Sequence, residues 1–135
     1  MLRLPAVSGR FYPGDAKTLR AFMDEVSSPD PAPAKALGVI VPHAGYVYSG
    51  TAAGAVFKSV AITPTVILLG PNHTGRGAAA AIYGTGAWQT PFGDAPIDER
   101  LASHLKTRST LLTEDTQAHQ FEHSLEVELD RKSVV

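Results

Sequence analysis

Two uncharged apolar runs constrain this chain more than anything else in it. ALGVIV occupies residues 36–41 and is stopped by Pro42; TVILL occupies residues 65–69 and is stopped by Gly70 and Pro71. Each is too short for a helix and is bounded by turn formers, which reads as a strand buried on both faces. Between them TAAGAVFKSV, residues 51–60, reads as a helix of small residues able to pack closely on a sheet, with Ser49 or Thr51 as its cap. Strand, helix and strand in that order predict a βαβ unit. The expected fold class is therefore α/β, with a mostly parallel or mixed sheet and helices on both faces.

The flanking segments fit one domain. DAKTLRAFMDEV, residues 15–26, places Leu19, Phe22, Met23 and Val26 at helical spacing behind Asp15 as N-cap. SSPDPAPAK, residues 27–35, predicts an extended, exposed loop. A third, shorter apolar run covers 78–83, a helix with Leu101 and Leu105 inward covers 98–106, and a last helix runs from 118 to about 129. At 135 residues and 44% hydrophobic, the chain has enough material for one core.

Charge and composition exclude several functions. Twelve Lys plus Arg against 13 Asp plus Glu leave a formal net charge of -1, so neither nucleic acid nor an anionic membrane is an expected partner. Without cysteine there is no disulfide, thiolate ligand or thiol nucleophile. The N-terminus lacks the apolar core of a signal peptide and no run reaches membrane-spanning length, which makes the cytoplasm the expected compartment and Asn72-His73-Thr74 a chance glycosylation triplet. GRGAAA, residues 75–80, fits a dinucleotide fingerprint in letters only. It leads into a strand-like run where a helix would have to open.

The chemistry sits where the two runs end. His43 follows the first within two residues and His73 follows the second within four. Ligands in open α/β sheets bind beyond the carboxyl ends of strands. Parallel strands lie roughly 5 Å apart, so both imidazoles could reach one ion at bonds near 2 Å. Asn72 could donate to a bound oxygen or hold its own turn. In AHQFEHSLEVEL, residues 118–129, a continuous helix would place His119, Glu122, His123 and Glu126 on one face and Phe121, Leu125 and Leu129 in a separate apolar row. His119, Glu122 and His123 also spell H-x-x-E-H, a zinc-hydrolase pattern in which two histidines hold the metal and the glutamate handles water. Polar surface decoration is the plainer reading of the same stripe.

With these clusters in view, the chain resembles the Memo family, the proteins also called AmmeMemoRadiSam system protein B. The matching segments are GRFYPGD, PHAGYVYSG, ILLGPNH, WQTPFGDAPID and AHQFEHSLEVEL, in family order across nearly the whole chain. The resemblance implies a fold similar to the LigB-type extradiol dioxygenases, which are non-haem iron enzymes with a pocket above the strand ends. It implies His43 and His73 as metal ligands, His123 and Glu122 as catalytic groups, and Asn72, His119 and Glu126 as further pocket residues. The implied cofactor is a divalent metal, iron or copper, with zinc possible. Implied partners are a small-molecule or peptide ligand, and radical-SAM and AMMECR1-like proteins. The resemblance also implies a single domain, residues 1–135, that is truncated at its C-terminus and lacks the family's usual third ligand, often a cysteine. Glu122 or Glu126 would have to take that place. The same pocket suits a redox or oxygenase-like enzyme, a non-catalytic binding or signalling protein, or a zinc hydrolase, and the residues leave all three open.

Overall fold

A computed structural model describes residues 1–26 and 32–132 of the chain, so residues 27–31 of the expected proline-rich loop lie outside the described residues. Local rules account well for two helices. Helix α1, Ala16–Glu25, starts where the Asp15 carboxylate accepts from the Thr18 N–H, and buries Leu19 and Met23. Helix α3, Glu99–Arg108, starts where Asp98 accepts from the Leu101 N–H and ends on Lys106 and Arg108, cations suited to a helix C-terminus. Asp15→Ala or Asp98→Ala should each lower the urea midpoint, because each removes the acceptor for a helix-start N–H.

The central helix departs from expectation at its start. Helix α2 spans Tyr46–Ser59 behind Gly45, with no side-chain cap. Ser49 does not cap it. Its hydroxyl donates back to the Ala44 and Gly45 carbonyls, from inside the first turn. The turn thus begins directly after His43-Ala44, which fixes His43 at the mouth of a helix.

The structure is a mixed α/β architecture with both parallel and antiparallel pairing, but its sheets differ from the expected one. Strand β1 (Leu2–Arg3) pairs in parallel with β3 (Ala87–Thr90), and β3 pairs antiparallel with β4 (Gly93–Pro96). A second pair joins β2 (Ala81–Ile82) in parallel to β5 (Thr113–Glu114). β3 and β4 form a hairpin around Pro91-Phe92, closed by Thr90, whose hydroxyl donates to the Gly93 carbonyl and accepts from the Phe92 N–H. Gly86, at φ +88, has to be glycine, because a Cβ there would run into the Met1 carbonyl.

Residues 36–41 and 65–69 do not form strands among the described residues. The βαβ expectation fails at this point for a physical reason. Apolar content favours a buried strand, but a strand exists only where a neighbour supplies its hydrogen bonds, and among the described residues no strand pairs with either run. A single parallel bridge, Ala34 to Val60, anchors the first run's approach. Among the described residues no helix is long and apolar enough to cross a membrane.

The core gathers Val7, Tyr12, Leu19, Met23, Tyr46 and Val127, flanked by Ala6, Phe11, Phe22 and Phe92. Val127 belongs to α5 (Ser124–Lys132), so the N-terminal segment, α1, α2 and α5 close on one another. The expected continuous helix over 118–129 is instead broken. Helix α4 covers Gln117–Gln120 and α5 begins at Ser124. The break is held by Arg3. Its guanidinium donates to the His119 carbonyl at 3.0 and 3.1 Å and to the Glu122 carbonyl at 2.7 Å, groups that a continuous helix would use internally. Its remaining fork meets Glu126 at 2.5 Å, and its plane lies 4.2 Å over the Trp88 ring. Phe121, expected inward, is consequently half exposed beneath Arg76.

Candidate metal centre

Three histidines from three separate places converge. His43 stands between the first apolar run and α2, His73 in the turn after the second run, and His123 in the break between α4 and α5. Their ring centroids are 5.2 Å apart for His43 and His73, 6.0 Å for His43 and His123, and 4.6 Å for His73 and His123, the last pair nearly parallel at 18°. One ring nitrogen from each lies within 4.8 Å of the others. Tetrahedral ligands about 2.1 Å from an ion stand roughly 3.3 Å apart, so closing the rings by on the order of 1 Å completes the set. The residues fit a divalent metal.

Glu122 organises this cluster without joining it. One carboxylate oxygen accepts from His73 Nδ1 at 2.8 Å and from the His123 and Ser124 N–H groups at 2.9 and 3.0 Å, and the other accepts from the His73 N–H at 2.5 Å. An ionised carboxylate only accepts, so His73 carries its proton on Nδ1 and presents Nε2 as the free nitrogen. A carboxylate in this role fixes the ring and raises its basicity as a ligand. Burial alone would raise the Glu122 pKa. The His73 imidazole, with the Ser124, His73 and His123 N–H groups, outweighs it and holds the carboxyl at about 2. His123 is pushed the other way. Burial lowers its pKa, Glu122 opposes this, and the neighbouring His73 and His43 add to the lowering, so the neutral, metal-binding imidazole is favoured.

A pH prediction follows from Glu122. Its folded pKa lies below the ordinary value of 4.5, so its stabilising contribution is complete above 4.5 and is lost as pH falls towards about 2. Urea midpoints of the metal-free protein should fall across that window by a stability on the order of 3 kcal/mol. Glu122→Gln should flatten the dependence, and an unchanged slope in that variant would show that the carboxylate lacks these partners.

The other expected pocket residues lie elsewhere or are fully engaged. Asn72 holds its own turn, accepting from Thr74 and Gly75 and donating to the Arg76 carbonyl. Glu126 is buried and accepts from Arg3, the Ala6 and Val7 N–H groups and the Tyr12 hydroxyl, which occupies its oxygens inside the core. His119 is buried against the edges of Tyr83 and Trp88. Burial, and then the Arg3 charge, lower its pKa. Because the helix breaks between them, His119 and His123 do not share a face, and the H-x-x-E-H geometry does not form. Arg3 is the positioning residue that the sequence conceals: it lies 119 positions before Glu122, whose carbonyl it holds.

A groove of about 330 Å³ opens beside the cluster, lined by Arg10, Phe11, Ala44, Gly45, Val47, Tyr48 and His123. Phe11 meets the His123 ring edge-on at 4.9 Å. A larger groove, about 610 Å³, runs along α3 past His104. It holds none of the three clustered histidines, so the chemistry is placed at the smaller one.

Comparison with known proteins places the sequence in a family. Residues 3–130 match the model of the family described as Memo-like protein. A MEMO1 family protein of Aquifex aeolicus is 43% identical over 129 residues, covering 95% of this chain and 48% of the relative. MEMO1 family proteins of Methanopyrus kandleri and Thermococcus onnurineus are 41% and 40% identical, each over 96% of this chain and over 50% and 46% of the relative. The chain thus spans about half the length of the curated relatives it matches. With that match running from the Arg3 anchor through the third histidine, the chain belongs to the Memo family.

Proposed function

We propose that His43, His73 and His123 hold a single redox-capable divalent ion, iron or copper, in an oxygenase-like or other redox protein of the Memo family. The observation that carries this reading is the approach of three ring nitrogens to within 4.8 Å of one another. Imidazole donors suit iron, copper and zinc alike, and the absence of any cysteine leaves the ion without a thiolate ligand from this chain. When bound, such an ion supplies a Lewis-acidic centre with positions open to a substrate.

The chain's own residues do the rest. Glu122 fixes the His73 ring and its tautomer, and it also accepts from the Ser124 N–H at the start of α5, so one carboxylate sets a ligand and the start of the helix that follows His123. Phe11 braces His123. The groove of Arg10, Phe11, Ala44, Gly45, Val47 and Tyr48 receives a small molecule or peptide beside the ion. A non-catalytic binding or signalling role uses the same groove, with radical-SAM or AMMECR1-like proteins as the proposed partners.

Competitive titration with ferrous, cupric and zinc ions, followed by elemental analysis, tests the reading. One ion per chain is expected, lost in a His43→Ala/His73→Ala variant. Absence of stoichiometric binding by all three metals would sink it.

A further inference from the structure

His119 sits in a closed cage that the metal centre does not use. Its ring meets the edges of Tyr83 at 5.8 Å and Trp88 at 5.9 Å between centroids. The Arg3 guanidinium lies 4.2 Å over the same Trp88 ring and donates to the His119 carbonyl at 3.0 and 3.1 Å. All four side chains are buried. Inside the cage, His119 Nε2 has no hydrogen-bond partner among the described residues. A neutral imidazole can leave a lone pair there, whereas an imidazolium must present an N–H. The acids nearest the cage are already engaged. Glu122 accepts from His73, His123 and Ser124, and Glu126 from Arg3, Ala6, Val7 and Tyr12. Asp115 accepts from the Ala78 and Gln117 N–H groups, and Glu114 from Lys106 and the Gly84 N–H. Burial and then the Arg3 charge lower the His119 pKa below its ordinary 6.5, while the Ala81 backbone, Asp115 and Glu122 oppose this and are outweighed.

We infer that His119 is a proton-sensitive latch on the α4–α5 break. A proton taken from solvent onto Nε2 places a second cation beside Arg3 inside the cage, a costly arrangement in a buried site. The cage yields by opening, and Arg3 lets go of the His119 and Glu122 carbonyls that it holds apart from a continuous helix. His123 stands in that break, so opening withdraws its ring from His43 and His73. The neutral ring's stabilising contribution is complete above 6.5 and is lost as pH falls below that value. That window is separate from the one set by Glu122, which lies between 4.5 and about 2. The inference needs no metal and stands independently of the ion proposed above.

Trp88 is the sole tryptophan of the chain, so its emission reports the cage directly, and an imidazolium against an indole quenches it. The metal-free 135-residue chain is titrated from about pH 7.5 to about pH 5, the range in which histidine changes charge. One transition in Trp88 emission is expected, with its midpoint below 6.5. Over the same range, protection of the His123 and Ser124 amides, corrected for intrinsic exchange, should fall at least about tenfold while that of α1 holds. His119→Phe keeps a ring without the proton, and His119→Gln covers the case in which the larger ring does not fit. Either variant should lose both changes. A flat Trp88 titration in the wild type would overturn the inference, as would a transition that persists in the variants. Loss of protection in α1 together with the break would also overturn it, because global unfolding is then the event observed.

Discussion

Replacing Arg3 with methionine should destabilise the protein by about 3–5 kcal/mol, the cost of leaving a buried charge without its partner. Three groups lose their donor at once: the Glu126 carboxylate and the carbonyls of His119 and Glu122. Both members of the ion pair are almost fully buried, at 4% and 3% side-chain exposure, so water cannot replace the lost bonds. Removing both charges together is not the remedy it can be elsewhere. Glu126 also accepts from the Ala6 and Val7 N–H groups and the Tyr12 hydroxyl, and all three of these bonds would be lost. Urea unfolding of the Arg3→Met, Glu126→Leu and double variants measures this directly. A double variant as stable as the wild type would show that the network stabilises far less than its geometry implies.

The second large effect is on metal affinity. His123→Ala should weaken ferrous or zinc binding at least a hundredfold, about 2.7 kcal/mol, because it reduces three imidazoles to two. Glu122 cannot substitute, being committed to His73 and to the start of α5. His119→Ala should leave affinity within about twofold, since His119 packs against Tyr83 and Trp88. Titration calorimetry on the two variants separates these outcomes. Comparable losses in both would favour a site spanning His119 and His123.

These residues also show which parts of the molecule its sequence reveals. His43 and His73 were legible because each follows an apolar run closed by turn residues, and placing chemistry at such exits needs only local information. Helices α1 and α3 were legible for the same reason, each carrying its own Asp cap. The break at 121–123 was not. Helical periodicity runs straight through AHQFEHSLEVEL, and what defeats it is a guanidinium more than a hundred positions away in the chain. That break turns His123 towards His43 and His73 while His119 turns towards Trp88. His123 was legible as a pocket group from the family resemblance, and the structure brings its ring nitrogen to those of His43 and His73; only the separation of His119 from it was hidden behind a tertiary contact. The runs at 36–41 and 65–69 misled in the opposite sense. Their composition states what they would pair with, but pairing is non-local, and apolar pattern alone cannot supply a neighbour. The hairpin at 87–96 was missed although Pro91, Phe92 and Gly93 carried a turn signal. Gly93 adopts a φ of +114, which favours glycine.

The central claim is that three imidazoles share one ion. X-ray absorption at the metal edge of the iron- or zinc-loaded chain tests it most directly. About three nitrogen scatterers near 2.0–2.1 Å with the outer-shell pattern of imidazole are expected, falling to two in His123→Ala. A first shell dominated by oxygen, or one unchanged by that substitution, would contradict it.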